Sequence, residues 1–401
     1  MSMNLSSPAH VVRATMMSYG QSALYSVTLG IALLLVPFYI RDLGYNLAWL
    51  GLIIAAQGVF QLGLRLFGGV LADRIGERWI IAASFACLIL GSCLLAISEN
   101  LAIIVGSQLL FGASRAVYWT PAQSYGSRIR EGDPGRFMGR FFGFSSAGQL
   151  AGAGVGGWLA QFATYPVGFS VCALLGVVSL VSVIAMPDLP RKSSRSIREI
   201  LAPIPAMIRS KITVLPAIAA LGTSISMSLV SSMLPAFFRE EMGFQEGTVG
   251  ILRIIHGVGA ILVGFAFSML LTRLGQQKFF TAIVVGNGLF LVGLVGAGNV
   301  IWLSSIVMLW LGMSFNAGRV IYAAMTAELS RPDERGVAMA VLGLYWAAGQ
   351  LIGPAVFGLV AWIVGLEWMV VIAGLTLMAP GLLSPFIYRS LWLSTADSGA
   401  E

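Results

Sequence analysis

Charge is scarce in this sequence. Only 10% of its 401 residues are Asp, Glu, Lys or Arg, against about 25% in an ordinary soluble domain, and 57% are apolar where about 45–50% is usual. A soluble globule is therefore excluded. Histidine is scarcer still, with His10 in the N-terminal tail and His256 in an apolar stretch. No His-Glu-x-x-His pattern exists and no carboxylate pair falls at mid-membrane, so a membrane metalloenzyme or acid–base enzyme is disfavoured. No Gly-x-x-x-x-Gly-Lys-[Ser/Thr] loop exists either, which excludes a single-chain ATP-driven pump. Cys87, Cys93 and Cys172 all lie in apolar runs; they read as packing residues, with no disulfide framework. No metal or cofactor is expected, and the protein is not expected to be an enzyme. The N-terminus carries no cleavable signal pattern.

What is abundant is apolar length. Windows of about 20 apolar residues recur, each long enough to cross a bilayer. Spans are predicted at roughly 17–40, 47–71, 79–97, 101–126, 138–162, 166–186, 213–238, 247–271, 279–297, 300–327, 337–363 and 367–388. The 48 glycines fit close helix packing in lipid. The net charge of +7 reports topology rather than a nucleic-acid partner. With the N-terminus inside, the outer loops hold only Arg41 and Arg239, the spans hold Arg65, Arg115, Arg253 and Arg319, and every other Lys and Arg is on the inner side. That asymmetry predicts two cytoplasmic termini.

The chain is also written twice. "VPFYIRDLGY" (36–45) echoes "LPAFFREEMGF" (234–244), "LADRIG" (71–76) echoes "LLTRLG" (270–275), "ASRAVY" (113–118) echoes "AGRVIY" (317–322), and "AGQLAGAGVGGWLA" (147–160) echoes "AGQLIGPAVFGLVA" (348–361). The echoes fall in order at offsets near 200, so the repeat is parallel, about an axis along the membrane normal. The expected architecture is all-α: a six-helix bundle over 1–187, a basic cytoplasmic linker over 188–212 and a second six-helix bundle over 213–401.

"GGVLADRIGERW" (68–79) and the glycine-rich "GRFFGFSSAGQLAGAGVGG" (139–157) carry a resemblance. Together with twelve spans divided six and six, the chain resembles the major facilitator superfamily, with partial likeness to its drug exporters. The loop signature matches at Gly69, Leu71, Ala72, Asp73, Arg74, Gly76 and Arg78; Glu77 stands where a basic residue is usual, and Ala153 stands where the exporter signature has proline. The resemblance implies a secondary transporter working by rocker-switch alternating access, in the cell membrane. It implies an inner gate at Asp73, in contact with the start of span 11 and with Arg128 or Arg130. Arg74, Gly69, Gly76 and Arg65 belong to the same gate. It also places spans 5 and 8 face to face, so Gly148, Gly152, Gly156 and Gly257, with Gly353 and Pro354 in the second half, are expected at a hinge or sliding seam.

The residues themselves suggest the cargo. Arg115 lies about 21 Å into span 4 at 1.5 Å per residue, where insertion costs about 2.5–3.5 kcal/mol. Arg319 repeats it in span 10. Gln108, Gly112, Arg115 and Trp119 share one helical face, and Tyr118 and Tyr322 each follow an arginine by three. With Tyr25 of span 1, these form a candidate solute site, because a guanidinium fork suits carboxylate or phosphate and the aromatics suit a planar body. His256, beside Arg253, is a candidate coupling residue since it titrates near neutrality; each arginine and the histidine also reads as a purely structural group. The expected partners are a small solute, the lipid bilayer and protons, with the chain a monomer and no nucleic acid bound. The expected function is transport of an anionic or amphipathic organic solute, export slightly favoured. A multidrug exporter of neutral or cationic compounds, or a non-transporting receptor or scaffold, are the alternatives.

Overall fold

The computed structural model describes residues 8–129, 134–189, 202, 204–209, 211–329 and 335–397. Those residues form thirteen helices and little else: α1 Pro8–Asp42, α2 Leu47–Ile75, α3 Glu77–Ile97, α4 Leu101–Ile129, α5 Pro134–Phe162, α6 Tyr165–Ile184, α7 Ile204–Arg209, α8 Lys211–Glu240, α9 Glu246–Leu274, α10 Gln276–Val295, α11 Ile301–Leu329, α12 Arg335–Val364 and α13 Leu366–Asp397. All but α7 have the length of a predicted span, and eleven of them are long and apolar enough to cross a membrane. The protein is a multi-pass membrane protein. The helix outside that eleven is α5, whose sequence trades apolar side chains for glycine and carries Arg136 and Arg140.

The connections are as tight as the sequence requires. Asn46 caps α2, its side chain accepting from the Trp49 amide at 3.0 Å. A single residue, Gly76, joins α2 to α3 at φ +106°, and Gly275 joins α9 to α10 at φ +74°. Both conformations are open to glycine and costly for any residue with a Cβ. Of the expected linker, 190–201, 203 and 210 lie outside the described residues; α7 lies within it.

Two compact units emerge, Met1–Ile200 with Gln245–Ile254, and Leu201–Phe244 with Ile255–Glu401. In the first, α1 packs on α5 and α6, α2 on α4, and α3 on α4 and α6. In the second, α8 packs on α12 and α11, and α10 on α13 and α11. The core of the second unit includes an apolar cluster of Ala219, Val263, Phe279, Phe280, Ile283, Ala317, Ile321 and Met325.

The glycine stripe of α5 sets the closest of these contacts. A Cβ on Gly148, Gly152 or Gly156 would sit 3.0, 2.9 and 3.1 Å from backbone carbons of Ala23, Val27 and Ile31. The stripe therefore faces α1 rather than α9. The face that α5 turns to the first residues of α9 holds Gly154 and Gly157, where a Cβ on Gly157 would lie 2.8 Å from the Gly250 Cα. The Gln161 amide donates to Gln245 Oε1 at 2.9 Å and accepts from the Gly247 N–H at 3.1 Å. In the second unit the equivalent glycines do the same work as the stripe: Gly349 closes on Leu221 and Ser224, and Gly353 on Ser228.

Candidate functional site

Arg115 is half-buried in α4, and what holds it is a chain of side chains that sequence reading missed. Its Nη1 donates to Gln57 Oε1 at 3.2 Å. The Gln57 amide donates to Gln108 Oε1 at 2.6 Å, the Gln108 amide to Ser107 Oγ at 3.2 Å, and the Ser107 hydroxyl to the Ile104 carbonyl at 2.6 Å. The relay runs one way, so the Gln57 oxygen is fixed as the acceptor that orients the guanidinium. Gln57, Gln108 and Ser107 are buried at 5%, 0% and 0% exposure; Gln108 thus stands behind Arg115 as a positioning residue. Gly112 makes the relay possible, since a Cβ there would lie 2.8 Å from the Gln57 carbonyl carbon.

Beside the relay stands an aromatic stack. The Tyr25 and Tyr118 rings lie 3.6 Å apart at 11°, with Phe85 edge-on to both and Trp119 edge-on to both. The Tyr25 hydroxyl shares a 3.2 Å hydrogen bond with Ser114. Tyr25 and Tyr118 are fully buried, whereas Trp119, like Arg115, is half-buried. Of the first-half candidates, Arg115 and Trp119 are the two with open surface; Tyr25, Tyr118 and Gln108 hold them in place. An oriented guanidinium on the same helical face as an indole suits a carboxylate or phosphate on an aromatic body.

The second unit carries Arg319 and Tyr322, both half-buried, on α11. The packing register shows that Arg319 does not repeat Arg115. Helices α4 and α11 begin 200 positions apart, at Leu101 and Ile301, and have equal length. Gly112 closes on Gln57, and Gly312 closes on His256 in the same way. In that register Arg115 corresponds to Phe315, and Arg319 to Trp119. The "ASRAVY"/"AGRVIY" echo, offset by 204, is one helical turn out of step. Each arginine still lies on the same face, but Arg319 sits four residues, about 6 Å, further along its helix. The Arg115–Gln57 pair becomes a Phe315–His256 ring contact at 5.9 Å, with the Arg319 guanidinium 5.7 Å from the Phe315 ring. Tyr322 approaches Trp346 at 6.4 Å. Arg253 and His256 are buried at 7% and 5% exposure. Gly257 is half-buried on α9, and Pro354 is buried within α12.

At the α2–α3 turn, the residue that departs from the loop signature supplies the observed contact. Glu77 is 3% exposed, pairs with Arg128 at 2.6 Å and accepts from the Ser124 hydroxyl at 3.1 Å. Arg78 donates to the Met186 carbonyl at 2.9 Å, and Tyr125 to the Pro187 carbonyl at 2.7 Å. The turn is thereby bound to the ends of α4 and α6. Arg74 is exposed and Arg65 half-buried; the side-chain placements of Gly69 and Asp73, and all of Arg130, lie outside the described residues.

Among the described residues no cluster of three or more His, Cys, Asp or Glu that could hold a metal ion forms. Comparison with known proteins gives the arrangement its context. The sequence matches the Major Facilitator Superfamily over residues 18–354 and again over 216–398. It is 24% identical over 345 residues to the quinolone resistance protein NorA of Staphylococcus aureus (strain MRSA252), covering 84% of this chain and 87% of that protein. It is 21% identical over 356 residues to multidrug resistance protein 2 of Bacillus subtilis (strain 168), covering 84% and 86%. The fold is similar to the crystal structure of the nucleoside transporter NupG, with a TM-score of 0.81 at 15% identity, covering 96% of this chain and 100% of that one. With a family match across most of its length, the chain belongs to the Major Facilitator Superfamily and is a transporter of that family.

Proposed function

We propose that the chain is a secondary transporter that moves a small anionic or amphipathic organic solute by alternating access, in the direction of export. The observation that carries this reading is Arg115, a partly buried arginine inside a membrane span, oriented by a relay of buried amides, with Trp119 one helical turn further along the same face. Keeping an oriented cation there costs insertion energy, and the return is a binding site for a carboxylate or phosphate. Arg319 and Tyr322 give the second unit a comparable group one turn out of step. The resistance functions named for the Staphylococcus aureus and Bacillus subtilis relatives favour export and the cell membrane. The Lys and Arg asymmetry favours cytoplasmic termini. The α2–α3 turn at Gly76, held by Glu77 and Arg128, serves as the inner gate together with Arg65, Gly69, Asp73 and Arg74 of α2. His256 with Arg253 is the site through which protons couple, and the chain acts as a monomer.

The test uses nalidixate, an aromatic oxo-carboxylate, with the full chain in proteoliposomes, with and without a pH gradient. The wild type is expected to move nalidixate and to be thermally stabilised by it. Arg115→Gln removes a charge-assisted hydrogen bond, and nalidixate affinity is expected to fall about tenfold or more. Equal transport by wild type and Arg115→Gln overturns the site; absence of any nalidixate binding by wild type overturns the anionic solute.

A further inference from the structure

One buried amide in the first unit has nothing to do. Gln21 is 1% exposed, and neither its Nε2 nor its Oε1 has a hydrogen-bond partner among the described residues. Ser18, fully buried, has an equally unpartnered Oγ. A buried amide without partners is costly, and native structures rarely keep one without a use.

Its position is informative. On α1, Gln21 and Ser18 stand four and seven residues before Tyr25, on the helical face that Tyr25 turns to Ser114 and Tyr118 of α4. On α2, Gln61 stands one turn beyond Gln57, with its Oε1 also unpartnered. Helices α1 and α2 are joined by the short turn at 43–46, so stepping back along α1 and forward along α2 moves toward the same end of the bundle. Gln21 thus lies one turn and Ser18 two turns from Tyr25, and Gln61 one turn from Gln57, each displaced along its helix toward the same end of the bundle.

The second unit shows that the fold does not require them. In the register of the repeat, Gln21 corresponds to Ala219, and that position lies in the apolar cluster with Val263, Ile321 and Met325. Ser18 corresponds to Pro216 and Gln61 to Ala260. None of those three counterparts carries a polar side-chain atom.

We propose that Gln21 is a solute-recognising group: its amide offers a donor and an acceptor side by side to a carbonyl or amide edge on a solute whose anionic group lies at Arg115, with Ser18 beside it on the same face. This rests on the transport reading above and adds a specificity to it, for organic anions that carry a neutral carbonyl or lactam edge on the same rigid body.

The experiment uses the purified full chain and nalidixate, whose ring carbonyl supplies such an edge. Gln21→Met keeps the shape and removes the polar atoms. The unliganded variant is expected to melt higher than wild type by about 2 °C or more, because an unpaired buried amide is gone. Its affinity for nalidixate is expected to fall about tenfold, while its affinity for benzoate, which lacks the ring carbonyl, stays unchanged. Ser18→Ala, a smaller change that leaves packing intact, is expected to shift both quantities in the same directions by less. A Gln21→Met protein that melts lower than wild type, or one that binds nalidixate as tightly while Arg115→Gln does not, overturns the assignment of Gln21 and leaves the anion site standing. A wild type that binds neither compound overturns the transport reading itself, and this inference with it.

Discussion

The two units repeat one backbone and fill it with different chemistry. Where α2 crosses α4 and where α9 meets α11, a glycine admits a neighbouring carbonyl: Gly112 against Gln57, Gly312 against His256. Three residues on, the first unit places Arg115 and the second Phe315. At the crossing of the first helix with the fourth, the first unit stacks Tyr25 on Tyr118, and the second brings Thr223 onto Gly318. One turn along, Gln21 of the first unit corresponds to Ala219 of the second. The glycines that set helix distance are the part held in common. The side chains near each crossing differ in kind: Gln57, Gln108, Arg115, Tyr25 and Tyr118 in the first unit, His256, Phe315, Arg319 and Thr223 in the second. Architecture therefore accounts for the glycines, and it does not account for Arg115, Gln57 or Gln21.

The strongest way to break the comparison is to close both crossings. Gly112→Val and Gly312→Val each drive side-chain atoms into a backbone carbonyl that cannot rotate away. Overpacking of this kind costs about 1–3 kcal/mol when neighbours can yield, and backbone cannot, so both variants are expected to be lost from the folded, monodisperse fraction on size-exclusion chromatography. If one folds normally and the other does not, the crossings are not equivalent. Next in size is Tyr25→Ala. Its ring is fully buried and stacked, so truncation is expected to cost about 3–5 kcal/mol, read as a lowered thermal midpoint.

Much of this was legible in the residues. Apolar windows gave the long helices, because nothing but a helix satisfies its own backbone in lipid. Gly76 was marked by the loop signature, and its φ of +106° gives the physical reason for a glycine there. The repeat was visible too, yet its register in α4 and α11 was misleading. An offset of 204 differs from 200 by close to one turn of 3.6 residues, so it keeps the face and shifts the depth, and the matching Arg and Tyr draw the eye to the wrong turn. Only the glycine contacts decide it. Gln57 and Gln21 carried no local signal: an amide in a membrane helix acquires its meaning from the helix opposite. The α5 stripe was plain as a stripe, but which helix it meets is tertiary information. Glu77 was noticed as a departure from a signature, and its partner Arg128, 51 positions away, appears only when α3 and α4 are packed.

Glu77→Gln sharpens the comparison at the turn. It removes the Glu77 charge from the 2.6 Å pair with Arg128, which keeps 14% side-chain exposure and so some solvation. The expected loss lies at the low end of about 3–5 kcal/mol, and Arg128→Gln in the same chain should recover part of it. A double variant no better than the single would show that the pair is not coupled.

The smallest expected effect is at Thr223, the counterpart of Tyr25. Its hydroxyl donates to the Ala219 carbonyl of its own helix at 2.7 Å, a bond that competes with the backbone ladder more than it supports it. Thr223→Ala removes a methyl group and that local bond, gains helix propensity of a few tenths of a kcal/mol, and leaves no buried donor behind. The net change is expected within about 0.5 kcal/mol. Measured beside Tyr25→Ala under one set of conditions, it asks whether the crossing is held by its backbone approach or by the side chains on it. A loss at Thr223 as large as that at Tyr25 would mean that the second unit depends on this contact as strongly as the first, and that the aromatic stack stabilises the bundle without any part in holding Arg115 and Trp119.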